Sequence, residues 1–332
     1  MPKLNKRTIS VFVIAVIALY IVIAVIPKLT GVLTPTETIK YGNLEVADKA
    51  KCFIVRDETV YSAPASGKMK FTVDEATQVK KGADIMKFTA SADGSKKSDK
   101  DADASGSKYK DIISRLGNNM KVSKGSVSER KGEISFYVDG FESFFTTDRM
   151  KNFSYSDMKG TNIDPENLRR TSAKKGEPVY KICDNSAWYI VFWVDKAHMK
   201  RYTEGSDVTA ELPGGSLHAS VYAVKKDGTK SEIILKTNRY YRNFTSDRII
   251  EGKIITVSGY GLIIHNSSMT YKDGKRGVYA KDTADNYVFK PVNVLSTDGS
   301  RSIVSESTFF DKKGDPVNTV EVYDEIKKHP GR

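Results

Sequence analysis

Residues 61–88 read YSAPASGKMKFTVDEATQVKKGADIMKF, and a shorter stretch at 131–142 reads KGEISFYVDGFE. Pro64 presets φ and Gly67 is free to take a positive one, so residues 63–67 form a tight turn into a strand. Met69, Phe71 and Val73 then alternate with Lys68, Lys70 and Thr72, the period-2 pattern of a half-buried strand. A polar turn at 74–77 and a second at Lys80-Lys81-Gly82 bracket Val79, after which Ile85, Met86 and Phe88 resume the apolar series. In the shorter stretch Ile134, Phe136 and Val138 face one way while Ser135, Tyr137 and Asp139 face the other, and Asp139-Gly140 marks a turn. The two stretches read either as halves of one small β-domain or as two ordinary hairpins of an all-β protein.

The order Ala63-Pro64, Gly67, Met69, Phe71, Val73, Val79-Lys80-Lys81-Gly82, Ile85 resembles the first half of a biotinyl/lipoyl-like domain. It is the form found in membrane fusion proteins, the HlyD-like periplasmic adaptor family. That resemblance implies a split domain, with a hairpin inserted between its halves. The insertion falls where a true lipoyl domain presents its modified lysine, so neither lipoylation nor biotinylation is expected and no cofactor is implied. Later passages extend the likeness. Arg248, Gly261-Leu262 and residues 264–269 resemble the family's "GL.IP.sAI" passage, although His265 stands in place of the proline and Ser268-Met269 in place of Ala-Ile. Residues 273–292, DGKRGVYAKDTADNYVFKPV, are similar to its closing hairpin. The likeness touches most of residues 48–294 and lies in the order of the passages rather than in one motif.

Residues 9–26 carry no charge, and Lys3, Lys6 and Arg7 precede them. At 1.5 Å per residue an α-helix of this length covers about 27 Å, near the hydrocarbon thickness of a bilayer. A cleaved signal peptide shares the charged-then-apolar order, but residues 26–31 offer no small-x-small cleavage site. An uncleaved transmembrane helix with the N-terminus in the cytoplasm and the bulk of the chain extracytoplasmic is therefore expected at the cell membrane. The net charge of +12 then points to anionic lipid headgroups or wall polymers, or simply to a solvated basic surface. The run NRYYRNF at 238–244 interleaves aromatics with Arg239 and Arg242 as single-strand binders do, but the topology argues for no nucleic acid.

The expected fold is mainly β: an N-terminal transmembrane helix, a split biotinyl/lipoyl-like β-sandwich, a β-barrel domain and a membrane-proximal β-domain. The boundaries are a cytoplasmic tail at 1–8, the transmembrane helix at 9–26, and a linker and membrane-proximal strand at 27–50. The first lipoyl-like half follows at 51–90, an insertion at 91–130, the second half at 131–160, the barrel at 161–255 and the membrane-proximal domain at 256–328. Within the insertion, residues 91–107 are only Ala, Ser, Asp, Gly and Lys and bury too little apolar area to order. One short helix at 109–120 presents Ile112, Ile113 and Leu116. No sustained heptads follow, so the long helical hairpin of adaptors that reach an outer-membrane channel is not expected. Residues 141–159, rich in Phe and Tyr, either close the lipoyl-like unit or link to the next.

The run WYIVFWV at 188–194 is apolar on both faces and far too short to span a bilayer. Its second face is covered either by this chain or by a neighbouring subunit, which makes Tyr189 and Trp193 candidate subunit or partner contacts. Cys52 and Cys183 read as small buried residues, with a disulfide between them left open. The four histidines, His198, His218, His265 and His329, lack metal-ligand spacing. There is no GxSxG elbow, P-loop or dinucleotide fingerprint. No catalytic, cofactor-binding or metal-binding residue is nominated, and the chain reads as a non-enzyme. The resemblance implies an adaptor subunit of an efflux or secretion transporter, of the ABC or proton-driven type, acting by protein contact. It also implies a homo-oligomer, touching membrane lipid through its anchor. The competing expectation is a non-catalytic cell-envelope scaffold that keeps the adaptor-like fold and serves wall synthesis or division. An external hydrolase on a stalk is the remaining class.

Overall fold

The computed structural model describes residues 6–25, 34–91 and 108–330. The low-complexity stretch at 92–107, the first five residues and residues 26–33 lie outside these, and with them the expectation of disorder in the insertion. The chain divides into two compact units, residues 47–256 and residues 1–46 with 257–332. Two long strands, Lys40–Val55 and Ile249–His265, each contribute residues to both.

In the larger unit the two stretches of the opening motif close over one core. Strand Gly67–Phe71 pairs with Met86–Ala90 and Ser172–Ala173, while Gly132–Ser135 lies in a second sheet with Gln78–Val79, Pro178–Cys183, Glu58–Ser62 and Lys121–Val122. Met69, Ile134, Phe136 and Val138 share that core with Phe71 packed against it, and the Phe71 and Phe136 rings stand 4.3 Å apart. The alternation read from the sequence holds in Gly67–Phe71, where Lys68 and Lys70 are exposed, whereas Gly132–Ser135 is buried on both faces. Gly67 is needed for a different reason than a turn: its φ is not positive. Instead a Cβ there would sit 2.4 Å from the Thr89 carbonyl oxygen on the paired strand. The helix in the insertion runs Lys110–Leu116 and buries Ile112 and Leu116.

The same sandwich takes up residues assigned above to the barrel. Leu168, Ala173, Val179 and Ile182 all pack in its core, and the barrel is built from strands from Trp188 onward together with the earlier strand Lys40–Val55, which was expected in the linker and the first lipoyl-like half. Six strands then close on themselves in the order Asp207–Leu212, Gly215–Asp227, Lys230–Thr237, Trp188–Asp195, Lys40–Val55 and Ile249–His265. The ring is completed by Thr209 against Ile255 and Ala210 against Ile254. Closure removes the free sheet edges that would otherwise invite pairing with another chain.

The smaller unit pairs the first strand after the N-terminal segment, Thr36–Thr38, with Glu325–Lys327 near the end of the described chain. Lys275–Lys281 lies next to Glu325–Lys327, flanked by Thr270–Lys272 and Tyr287–Pro291. The Asp273-Gly274 turn has both residues at positive φ, 51° and 74°, as a tight hairpin requires. Ile39, Leu262, Ile264, Val278, Ala280 and Ile326 fill its core.

The N-terminal segment departs from expectation. In place of one α-helix over 9–26, an α-helix spans Lys6–Tyr20 and a π-helical stretch follows at Ile21–Val25. Fifteen residues make only about 22 Å of α-helix. Among the described residues no helix is long and apolar enough to cross a membrane.

Candidate functional site

The strand Trp188–Asp195 shows how the larger unit is assembled. Trp188, Ile190, Phe192 and Val194 point into the barrel, while Tyr189, Val191 and Trp193 point outward into a separate core. That outer core is roofed by residues 141–159: Phe145, Met150, Phe153 and Met158 lie on the barrel face beside Phe53 and Ile234. The aromatic segment is therefore a strap across the barrel. Tyr189 and Trp193 are 9% and 8% exposed, and the Trp193 indole N–H donates to Asp227 Oδ2 at 2.9 Å. Of the two covers considered for this face, the chain itself supplies the one observed. The nominated contact residues are interior.

The run at 238–244 is likewise structural. Tyr241 and Phe244 are buried, with their rings 5.9 and 5.5 Å from Trp188. The Trp188 N–H donates to the Arg239 carbonyl at 3.1 Å. Tyr240 alone of its aromatics is exposed. The loop caps one end of the barrel and leads into the most unusual chemistry of the chain.

That chemistry is a sealed cluster of six charges where the sandwich meets the barrel. The side chain of Glu58, the first residue of a sandwich strand, is fully buried. It lies 2.8 Å from Lys181 Nζ, 3.0 Å from Arg56 Nε and 2.5 Å from Arg248 Nη2. The Arg248 Nε donates to Asp139 Oδ2 at 2.9 Å, and Lys181 reaches Glu142 at 3.4 Å. Glu142 in turn accepts the backbone N–H groups of Asp139 and Gly140, each at 3.0 Å. Arg56 donates to the carbonyls of Asp247 and Thr245 in the capping loop, at 2.6 and 3.0 Å. Three cations face three carboxyls, and all lie beneath the surface.

Burial alone would raise every carboxyl here, because a charge loses its hydration. For Glu58 the attraction of Arg248, Arg56 and Lys181 outweighs burial and holds it well below the ordinary range. Asp139 is held down against burial by Arg248 and Lys181. Glu142 goes the other way: burial, reinforced by Asp139 and Glu58, exceeds the pull of Lys181 and pushes it up. Lys181 and Arg248 are both raised, burial being outweighed by the carboxyls around them. Such a cluster cannot meet a substrate. Its capacity is mechanical: breaking any one pair strands a buried charge, so sandwich, loop and barrel are held in one geometry.

The sequence held a trace of this cluster, in that Lys181 interrupts an apolar strand and Asp139 sits beside a turn glycine. Nothing local, however, links residues 56–58, 139–142, 181 and 248. Elsewhere, His198 Nδ1 lies 2.6 Å from Asp48 Oδ1 and His265 Nδ1 lies 2.6 Å from Glu37 Oε2. Among the described residues no group of three or more His, Cys, Asp or Glu side chains is placed to hold a metal ion. Cys52 and Cys183 are both buried and carry free thiols.

Comparison with known proteins follows these boundaries. No curated protein matches the chain. Among solved structures, MacA from Actinobacillus actinomycetemcomitans is 14% identical, with 89% of this chain and 99% of that one covered and a TM-score of 0.32. ZneB from Cupriavidus metallidurans is 9% identical over 90% and 92% of the two chains, with a TM-score of 0.29. The membrane fusion protein Spr0693 from Streptococcus pneumoniae R6 is 10% identical over 63% and 97%, with a TM-score of 0.27. Likeness at that level carries no weight of its own beside the domain families. Residues 58–184 match the RND-related barrel-sandwich hybrid domain and residues 188–258 the RND-related β-barrel domain. With the split sandwich and the closed barrel in that order along the polypeptide, residues 58–184 and 188–258 belong to the RND-related barrel-sandwich hybrid and β-barrel domain families, consistent with the HlyD-like resemblance of the sequence.

Proposed function

We propose that this protein is an extracytoplasmic adaptor subunit of an efflux or secretion transporter, anchored by its N-terminal segment and acting through protein contact. The single observation that carries the reading is the consecutive pair of RND-related domains at 58–184 and 188–258. The N-terminal helix adds support: Phe12, Ile14 and Leu19 are 69, 63 and 59% exposed, and apolar side chains bared on a helix call for lipid or a protein partner. In this reading the N-terminus is cytoplasmic, and the protein works as a homo-oligomer beside an ABC or proton-driven transporter.

A second reading, an envelope scaffold for wall synthesis or division, draws on the insertion. Its described part holds one α-helix of seven residues, Lys110–Leu116, followed by a single 3-10 turn. One experiment separates the two. The full chain is cross-linked in intact cells and purified from membranes. Recovery of a transporter supports the adaptor. Recovery of wall-synthesis or division proteins without a transporter favours the scaffold, and a chain found only in the soluble fraction would overturn the membrane reading.

A further inference from the structure

One buried carboxyl in the larger unit is left without a hydrogen bond to either oxygen. Glu232, in the barrel strand Lys230–Thr237, is 0% exposed. Neither of its carboxyl oxygens has a hydrogen-bond partner among the described residues. An unpaired buried carboxylate is costly, whereas a protonated carboxyl in the same place is tolerated. Its position gives the cost a consequence. Ile234, two residues on and hence on the same face of the strand, belongs to the outer core that the strap covers. Glu232 stands opposite Trp193 on one neighbouring strand and opposite Lys225 on the other.

The strap is tied down around this carboxyl by few polar contacts. The Tyr155 N–H donates to Asp227 Oδ2 at 2.5 Å, and Lys225 Nζ donates to the Lys151 carbonyl at 3.0 Å. Lys225 is also the nearest cation to Glu232, at 4.0 Å, and its side chain is half exposed. The other charged groups nearby are engaged elsewhere. Lys230 pairs with Asp195 at 2.8 Å. Lys230 also lies over the Tyr155 ring of the strap, Lys151 of the strap and Lys236 lie over the Tyr222 ring, and Asp157 accepts from Ser154 at 2.6 Å. Lys225 and Asp227 are thus the two charges that act on Glu232, one attracting and one repelling. They are also the two side chains that hydrogen-bond the backbone of the strap's later part, at Lys151 and Tyr155, whereas its first residues are held by Glu142 in the charge cluster.

We propose that Glu232 is a proton-operated latch: protonated, it lets the later part of the strap, residues 150–159, lie closed over the barrel; ionised, it loosens that part and bares Tyr189, Val191 and Trp193. On ionisation the new carboxylate draws Lys225 away from the Lys151 carbonyl and repels Asp227, which holds Tyr155, so both fastenings weaken together. Water reaching the carboxylate offsets its burial only if the strap moves. Burial, opposed by Lys225 and reinforced by Asp227, pushes the carboxyl up to about 7, which sets the change near neutral pH. The exposed face is apolar and aromatic, the character of a protein contact surface. The inference does not depend on the transporter role.

The test is hydrogen exchange of strap amides in the full chain at about pH 6 and about pH 8.5, corrected for intrinsic exchange. One proton whose affinity differs between closed and open strap increases opening about tenfold over that interval. Wild type is expected to lose strap protection by that factor, while Glu232→Gln stays flat. A wild type that does not respond, or a Glu232→Gln variant that responds as strongly, overturns the proposal. Should Glu232→Gln fail to fold, Lys225→Met decides: removing the attracting charge must move the midpoint to higher pH, and an unmoved midpoint refutes the latch.

Discussion

Glu58→Gln is the sharpest probe of the charge cluster. The substitution keeps the shape of the side chain and removes one charge that faces three cations at 2.8, 3.0 and 2.5 Å. Each such pair is a large gross attraction in the interior, offset by several kcal/mol of lost hydration per ion. The measurable quantity is the cost of breaking the set, about 3–5 kcal/mol for a buried pair that loses one partner. In a unit of this size, each kcal/mol moves the midpoint by about 2–4 °C, so the unfolding transition of residues 47–256 should fall by about 6–20 °C. The assay is calorimetry of the full chain at neutral pH, with urea unfolding alongside. The pH response has a definite sign. Glu58 is depressed in the folded state, so its contribution is present above the ordinary glutamate range and is lost as pH falls through and below it. The variant must therefore lose less stability on acidification than wild type does. Glu142, pushed up in the same cluster, already sacrifices stability when ionised, so Glu142→Gln should be milder at neutral pH. A Glu58→Gln loss under about 1 kcal/mol, or one equal at acid and neutral pH, would refute the account of the cluster as a stiff joint.

Three further outcomes follow from the packing. Trp193→Ser should destabilise the larger unit by about 3–5 kcal/mol, as loss of a buried aromatic does, and leave oligomer size on a sizing column unchanged at neutral or lower pH. A changed size without loss of stability would return Trp193 to the role of a subunit contact. Gly67→Ala drives a Cβ to 2.4 Å from the Thr89 carbonyl, and should cost about 1–3 kcal/mol, the scale of overpacking, seen as faster proteolysis between the sandwich halves. Burial pushes the Cys52 and Cys183 thiols up to about 12. Neither should react with a thiol reagent in the folded protein, and both should react in denaturant.

Local pattern carried much of the architecture. The alternation of Met69, Phe71 and Val73, and of Ile134, Phe136 and Val138, names the face of each stretch that enters the sandwich core, because side-chain direction in a strand depends only on parity. The two-sided apolar run at 188–194 likewise announced a strand covered on both faces. The glycine turns at Gly82, Gly140, Gly228 and Gly274 are where the chain takes positive φ, a property of the residue itself.

What only the tertiary structure decided is everything that depends on which distant segment arrives. Strand Pro178–Cys183 looks like any barrel strand in isolation, yet its register against Glu58–Ser62 and Gly132–Ser135 places it in the sandwich. The cover over Tyr189 and Trp193 turned out to be residues 141–159, whose aromatics carry no periodicity to declare a destination. Glu58 and Arg248 are brought together by the closing of a long chain. Charge pairing has no period in sequence and acts only over a few ångströms, so its partners become visible only when the chain has folded. Hydrophobic alternation is written into neighbouring residues, whereas burial of a charge is a property of the whole fold.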